Sequence, residues 1–572
     1  MTPTGRIYAR PGQSGRKLRR NCRSAVPHLH SALPSQRQAL VTHPPDPLGP
    51  DPDLHPKGSL VKPIRLMSGF LTVGVWTLLS RVLGFVREIL ILSLIGPGPL
   101  MDAFVAAFRL PNMFRRFFAE GAFNAAFVPM FSARLEGEDN PHRFANDALN
   151  GLMFATLALT ALGLVFMPAL VWATAGGFDA QRFDMTVGFG RITFPYIFFM
   201  SLSALFSGIL NATGRFAAAA AAPVLLNIFV IISMIVASKV GGEIVVWLIY
   251  TIPLAGIAQL ALTWTAASRA GFALTPGLPR WTPEMRQMLI VAVPAALATG
   301  VMQINLVVGQ VVASQFDKAV SWLFAADRLY QLPLGVVGIA VGIVLLPDLS
   351  RRLKAGDDAG ARNALSRAAE ISLALTIPSA VALMVIPLPL TSVLFERGAT
   401  GPDDVAAIAV AVAIYGLGLP AFVIQKFLQP LYFARSDTRS PFRYALWTMG
   451  VNAVLAVGLA PVIGWLAPAI ATTAAGWAMV LMLRHGTRPM GDVARFDDRF
   501  RKRIWRIILA SVVMGLCLWA AALAMSGPLG TTGLRYIALL ILILIGAVSY
   551  FGTGHLIGAF KLSDFKRAAK RK

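Results

Sequence analysis

FLTVGVWTLLSRVLGFVREILILSLIGPGPLMDAFVAAFRLPNMFRRFFAEGAFNAAFVPMF, residues 70–131, is two membrane-length apolar segments that carry Arg81, Arg87, Glu88, Arg109, Arg115, Arg116 and Glu120. A charged side chain at the centre of a bilayer costs about 3 kcal/mol on insertion scales, so such groups face protein or water rather than lipid. The segment therefore predicts a cationic cavity within the membrane.

The rest of the chain has the same character. It is 56% hydrophobic and 14% charged over 572 residues, with a mean hydropathy of +0.64, and its apolar residues come in long blocks. A hydrocarbon core about 30 Å thick takes about 20 helical residues to cross. Fourteen stretches have that length, near 70–95, 103–131, 146–174, 187–211, 217–238, 244–267, 285–313, 320–347, 366–395, 404–433, 442–463, 465–483, 504–526 and 534–558. The expected fold is an all-α polytopic membrane protein with about 14 transmembrane helices.

Several function classes lose support at this level. Cys22 and Cys517, the two cysteines, make neither a disulfide framework nor a metal site. The sequence contains no HExxH, paired CxxC, phosphate-binding P-loop or GxSxG elbow. An enzyme is not expected, and no cofactor or metal is. The net charge of +24 does not indicate nucleic acid, because of where the charge lies. Twenty-two basic residues, from Arg134 to Arg506, fall in even-numbered turns, and five (Arg182, Lys239, Lys318, Arg397 and Arg535) fall in the odd ones. Basic residues mark the cytoplasmic side, so both termini are expected there, with attraction to anionic lipid as a consequence.

Residues 1–66 carry eleven basic and three acidic residues, many prolines and no apolar core long enough for a signal peptide. Disorder is expected there. Met67, immediately before the first span, is the expected native start.

The second and eighth spans echo each other. RLPNMFRRFFAEGAFNAAFVPMFSARL, residues 109–135, and RLYQLPLGVVGIAVGIVLLPDLSRRL, residues 328–353, both begin RL and end P-x-x-S-x-R-L. A second echo sets Arg215 and Asn227 against Arg439 and Asn452. The offset is six spans, an even number, which predicts parallel repeats and two pseudo-symmetric six-helix lobes plus two C-terminal helices. The expected organisation is a leader at 1–66, a first lobe at 67–270, a second at 271–484, a basic linker at 485–503, two helices within 504–560 and a basic tail at 561–572.

Within the charged segment, Arg81 and Glu88 are seven apart and share a helix face, with Gly84 between them, while Arg87 points elsewhere. Arg109, Asn112, Arg116 and Glu120 form one stripe flanked by Arg115. Cations outnumber carboxylates, and arginine's planar fork suits a pyrophosphate. Internal ion pairing, or a position at the membrane edge, is the alternative reading of these arginines. Asp102 reads equally as a cap at the start of the second span or as a functional acid. Asp327 and Arg328 read as a local pair or as cavity residues, Gln303, Asn305 and Gln310 as interhelical contacts, and Glu370 and Lys426 receive no role. Pro111, Pro195, Pro294, Pro333, Pro378 and Pro420 are expected to kink or interrupt spans.

SRVLGFVRE (80–88), DAFVAAFRLPNMFRRFFAEGAFNAAFVP (102–129), RITFPYI (191–197) and ADRLYQLPLG (326–335) closely resemble the MurJ/MviN lipid II flippases of bacterial envelope synthesis. The resemblance runs from about Met67 through the last span. It implies the fold of the multidrug/oligosaccharidyl-lipid/polysaccharide exporters, with two six-helix lobes and two further helices lining a groove for a polyprenyl tail. It implies carriage of undecaprenyl-pyrophosphate bearing a disaccharide-pentapeptide, lipid II, from the inner to the outer leaflet of the cytoplasmic membrane. It places substrate-binding arginines at Arg81, Arg87, Arg115, Arg116 and Arg328, and supporting acids at Glu88, Asp102, Glu120 and Asp327. Glu88 stands where many members have Asp, and Gln331 where some have Glu, which leaves a proton or ion role for position 331 in doubt. Expected partners are lipid II, membrane lipids and other cell-wall synthesis proteins. An anionic cargo in a cationic site suits coupling to membrane potential or to an inward cation, between which the residues do not choose. A drug/cation antiporter of the same fold is the runner-up.

Overall fold

A computed structural model describes residues 66–116, 123–137 and 139–559. The expected disordered leader up to residue 65, Glu120 and the basic tail at 561–572 lie outside the described residues, as do the side chains of Met67 and Asn305.

The described chain is helical from end to end, because blocks with few polar breaks bury every backbone N–H and C=O within the helix itself. The first lobe comprises α1 (Leu66–Leu94), α2 (Pro99–Phe114), α3 (Asn124–Glu136), α4 (Pro141–Val165), α5 (Met167–Ala175), α6 (Ala180–Thr193), α7 (Tyr196–Ala212), α8 (Phe216–Val240) and α9 (Ile244–Arg269). The second comprises α10 (Pro283–Ala313), α11 (Ala319–Lys354), α12 (Asp358–Val385), α13 (Pro387–Phe395), α14 (Pro402–Phe433), α15 (Arg439–Ile463) and α16 (Ala467–Gly486). α17 (Asp498–Ala524), the short α18 (Ser526–Gly530) and α19 (Leu534–Leu556) follow. Among the described residues, nine helical stretches have by themselves the length and hydropathy to cross a membrane. Helix occupies each of the fourteen expected segments, and the total of fourteen crossings rests on the sequence.

The repeat reappears in the packing. In the first lobe α1 packs on α8, α8 on α9, α7 on α9 and α2 on α6; in the second, α10 packs on α15, α15 on α16, α14 on α16 and α11 on α14. These are the same pairings displaced by six spans. α17 docks on α12 and on α19, so the last two helices attach to the second lobe.

Three departures from the sequence expectations have local causes. Of the six prolines, only Pro195 falls at a break, between α6 and α7, while Pro111, Pro294, Pro333, Pro378 and Pro420 sit inside uninterrupted helices. A helix tolerates proline where its packed surroundings take up the freed carbonyls. The second span is not one regular helix, since α2 ends at Phe114 and the backbone loosens into a π-type turn at Arg115 and Arg116. The basic linker is shorter than expected. α17 starts at Asp498, where Asp497 caps it by accepting from the Phe500 amide at 2.7 Å. Hydropathy does not see this first turn because ion pairs hold it: Glu370, buried and without an expected role, accepts from both Arg367 and Arg503.

α10 belongs to the second lobe by sequence but crosses between the two. Its first turns pack Met285 and Met288 into a core made by α3, α4, α7 and α9. The preceding loop is pinned there, with Asn150 accepting from the Gly277 amide at 2.8 Å and Asn146 from that of Thr275 at 2.9 Å. Its far end packs Val312 against Ala456 and Ala471 of α15 and α16.

Candidate functional site

The lobes meet at the end away from the basic turns. One hydrophobic core there mixes Leu92, Met101, Phe104 and Val105 of the first lobe with Val320, Leu323, Phe395, Ile408 and Val412 of the second. The backbones come into direct contact: the Ala399 amide donates to the Ser93 carbonyl at 2.8 Å, and the Thr400 hydroxyl to that of Leu92 at 2.7 Å. Gly96 (φ 73°) and Gly398 (φ 59°) occupy left-handed backbone at this crossing. A Cβ on Gly398 would collide with the Ser93 carbonyl, and one on Gly96 with that of Ala399, so the sequence needs glycine at both.

Asp102 completes this seal. The N-cap of α2 is Gly98, so Asp102 does not cap its own helix. Fully buried, it accepts from the Ser321 amide at 2.8 Å and from the Ser321 hydroxyl, and so caps α11 of the opposite lobe. Arg182, itself buried, reaches Asp102 at 3.8 Å, Asp179 at 2.6 Å and Asp317 at 2.9 Å. Sequence reasoning counted Arg182 only as a basic residue on the sparsely charged side. Its three-residue spacing from Asp179, the N-cap of α6, is the signal that it is anchored.

The charged cluster lies below the seal. α1 and α11 run antiparallel, and Arg81 with Glu88 on one matches Gly335 with Arg328 on the other, seven residues or about 10 Å in each case. Glu88, buried, accepts from Arg87 and lies 3.7 Å from Nε of Arg328. The Arg328 guanidinium also stands 4.5 Å above the ring of Phe324. The Arg81 guanidinium lies against the backbone of Gly335, where a Cβ would overlap it. Arg81 and Glu88 therefore share the face turned to α11, as expected.

Arg87 corrects an expectation. Far from pointing away, it pairs with its neighbour Glu88 and donates to Oδ1 of Asn227 on α8 at 2.9 Å, while Asn227 donates to the Ser80 carbonyl at 2.9 Å. A long flexible side chain can fold back to the adjacent residue, which helix-face counting ignores.

Asp327 does not form a closed pair with Arg328. Gln331 donates to it, and Arg328, then Arg109 and Arg116 of the first lobe, lie near enough to interact with its charge. The ring of Tyr415 of α14 lies 5.0 Å from that of Tyr330, centre to centre, tilted by 35°. The sequence-predicted stripe is thus divided: Arg109 and Arg116 lie within electrostatic reach of Asp327, whereas Asn112 bonds back to the Phe108 carbonyl at 3.1 Å. Arg115, half-buried, precedes Arg116 in the loosened turn. Among the described residues, five arginines from both lobes (Arg81, Arg87, Arg109, Arg116 and Arg328) converge with two carboxylates, Glu88 and Asp327. The surplus is positive, which suits an anionic ligand.

At the basic end the cores are separate. One, built from α3, α4, α7, α9 and the start of α10, contains Phe127, Phe131, Phe144 and Phe206; the other, built from α11, α12, α14, α16 and α17, contains Leu349, Leu365, Phe427 and Leu483. Among the described residues the two share none.

Comparison with known proteins agrees with this arrangement. The family described as Lipid II flippase MurJ matches residues 91–544. A probable lipid II flippase MurJ of Rhizobium tropici is 42% identical over 524 residues, covering 89% of this chain and 97% of its own. A lipid II flippase MurJ of Burkholderia cenocepacia is 32% identical over 518 residues, covering 89% of this chain and 100% of its own. Among solved structures, a lipid II flippase MurJ in an inward closed conformation superposes with a TM-score of 0.73 at 26% identity, covering 85% of this chain and 98% of that one. An inward-facing multidrug resistance MATE transporter superposes with a TM-score of 0.61 at 14% identity, covering 72% of this chain and 95% of that one, which is a likeness of fold alone. With that family model covering most of its length and relatives of this identity matched nearly end to end, the chain belongs to the lipid II flippase MurJ family.

Proposed function

We propose that this chain is a lipid II flippase. It carries undecaprenyl-pyrophosphate-linked disaccharide-pentapeptide from the inner to the outer leaflet of the bacterial cytoplasmic membrane by alternating access, and no bond is made or broken. The observation that carries the reading is the convergence of Arg81, Arg87 and Arg109 of one lobe with Arg328 of the other, beneath a seal and toward an end where the cores part.

Arginine keeps its proton when desolvated and binds phosphate oxygens bidentately. Arg81, Arg87, Arg116 and Arg328 clamp the pyrophosphate, joined by Arg115 where the π-type turn brings it to the cavity. Glu88 and Asp327 hold the arginines in register, with Glu120 as a further acid. Asp102 belongs to the seal that must open for release to the outer leaflet. The polyprenyl tail stays in lipid beside α17 and α19. The abundance of arginine and lysine on one set of turns supports placing that end, and both termini, in the cytoplasm. Membrane potential or an inward cation drives the cycle, and other cell-wall synthesis proteins supply and consume the cargo. A drug/cation antiporter would need an acidic excess where this site has a basic one.

The test is depletion of the chain in its source bacterium with lipid-linked precursor assayed on each leaflet. Accumulation on the inner side is expected, and an unchanged distribution would refute the reading.

A further inference from the structure

A second cationic site lies away from the lobe interface. Between α15 and α16, on their lipid-exposed face at the basic end, a recess of about 730 Å³ is lined by Arg443, Trp447, Leu481, Arg484, His485 and Arg488, among others. The two helices pack closely. Arg443 and Trp447 are four apart on α15, and Leu481 is followed at helical stride by Arg484 and His485 on α16, so each set shares a helix face, while Arg488 lies two residues beyond the end of α16.

The recess is graded. Trp447 and Leu481 are 66% and 69% exposed and lie toward the apolar interior of their helices. The arginines and His485 lie toward the ends of those helices. That is the order of acyl chain and headgroup in a lipid leaflet, with an aromatic ring at the boundary.

The positive charge is poorly compensated. No carboxylate is among the residues lining the recess. Asp437 faces Arg443 from the preceding turn, but it already accepts from the Ser440 amide at 3.0 Å. Arg484 spends one donor on the Ala494 carbonyl at 2.9 Å and stacks over Phe496 at 5.2 Å. Burial, then repulsion from Arg501 and Arg488, pulls its pKa below the usual guanidinium value. A diffuse basic surface would attract anionic lipid without selecting a position, whereas this concave arrangement provides one.

We propose that the recess binds the headgroup of one anionic phospholipid, with Arg443 and Arg488 on its phosphate and Trp447 and Leu481 along the adjoining acyl chain. The site is separate from the Arg81–Arg328 cluster and does not depend on the substrate assigned there.

The experiment is native mass spectrometry of the full chain released from detergent containing either phosphatidylglycerol or phosphatidylethanolamine, comparing wild type with R443Q/R488Q. One phosphatidylglycerol per chain is expected to stay bound to wild type, with little phosphatidylethanolamine, and the double variant to lose about tenfold of that retention. Millimolar inorganic phosphate leaves the lipid in place if a lipid is the ligand, and its displacement would reassign the recess to free phosphate and overturn the proposal. Unchanged retention in the double variant, or equal retention of the zwitterionic lipid, also overturns it. Should R443Q/R488Q not fold, the emission difference between wild type and W447F decides. Stronger quenching of that component by brominated phosphatidylglycerol than by brominated phosphatidylcholine supports the site, and equal quenching defeats it.

Discussion

The two ends of this molecule are closed and opened by different physics. At one end the lobes share a single core, exchange backbone hydrogen bonds through Ser93 and Ala399, and lock Asp102 onto the first turn of α11. At the other they keep separate cores that share no described residue, and arginines and lysines crowd the turns. The difference teaches that the closed end is held by apolar burial and close backbone fit, which reward contact. Like charge at the other end discourages it. A carrier that must alternate needs the first kind of contact to be reversible, and small residues with a few polar links make it so.

The comparison breaks first at the charged cluster between the ends. R328A and R81A, judged separately, are expected to lower leaflet transfer of lipid-linked precursor about hundredfold, since each removes a charge-assisted contact to the pyrophosphate worth about 3 kcal/mol. Folded protein in the membrane should be unchanged. Wild-type transfer in both variants would remove the arginine clamp from the mechanism.

The seal is the next place to press. Gly398→Val puts side-chain atoms where the Ser93 carbonyl now lies, and overpacking of this kind costs about 1–3 kcal/mol. With Cys517 replaced by Ala, labelling of a cysteine substituted at Ser93 by a membrane-impermeant maleimide should rise about tenfold over the Gly398 parent. If the rate stays the same, the closed end does not rest on that backbone crossing.

Asp102→Asn sharpens the picture more gently. The amide can still accept from Ser321 but offers no charge to Arg182 or to the α11 N-terminus, a loss of about 1–2 kcal/mol. Labelling at Ser93 should rise less than for Gly398→Val, and an effect equal to or larger than that would make charge, not fit, the main lock.

The smallest effect is expected at Asp179, half-exposed at the start of α6. The Arg182 amide first, and its guanidinium after, hold the Asp179 carboxyl below its ordinary value of 3.8. A lowered folded pKa means the cap contributes fully above the unfolded value and fades as pH falls below it through the folded one. Asp179→Ala should therefore lower thermal stability by about 0.5 kcal/mol at neutral pH and by nothing once both forms are protonated. A deficit that persists undiminished in acid would assign the effect to packing.

Much of this arrangement is legible in the residues themselves. Apolar block lengths locate the helices, and the echo of Arg109 in Arg328 anticipates a repeat that the helix pairings reproduce. The seven-residue spacing of Arg81 and Glu88 correctly predicts a shared face. What escapes is any contact made through a side chain's reach or across lobes. Arg87 folds back to Glu88, Asp102 caps a helix more than two hundred residues away, and Arg182 reaches Asp102 and Asp317 outside its own helix. Spacing along one helix carries no information about these.

From the sequence alone follow the helical class, the membrane environment, the two-lobe repeat and the surplus of arginine within the spans, because hydropathy, charge and periodicity are properties of the chain read locally. Which end is shut, where α10 crosses, and which carboxylate holds which arginine were decided only by the tertiary structure. Those outcomes depend on how two lobes of similar internal packing fit against each other, and that fit is a property of shapes and distances no single segment contains.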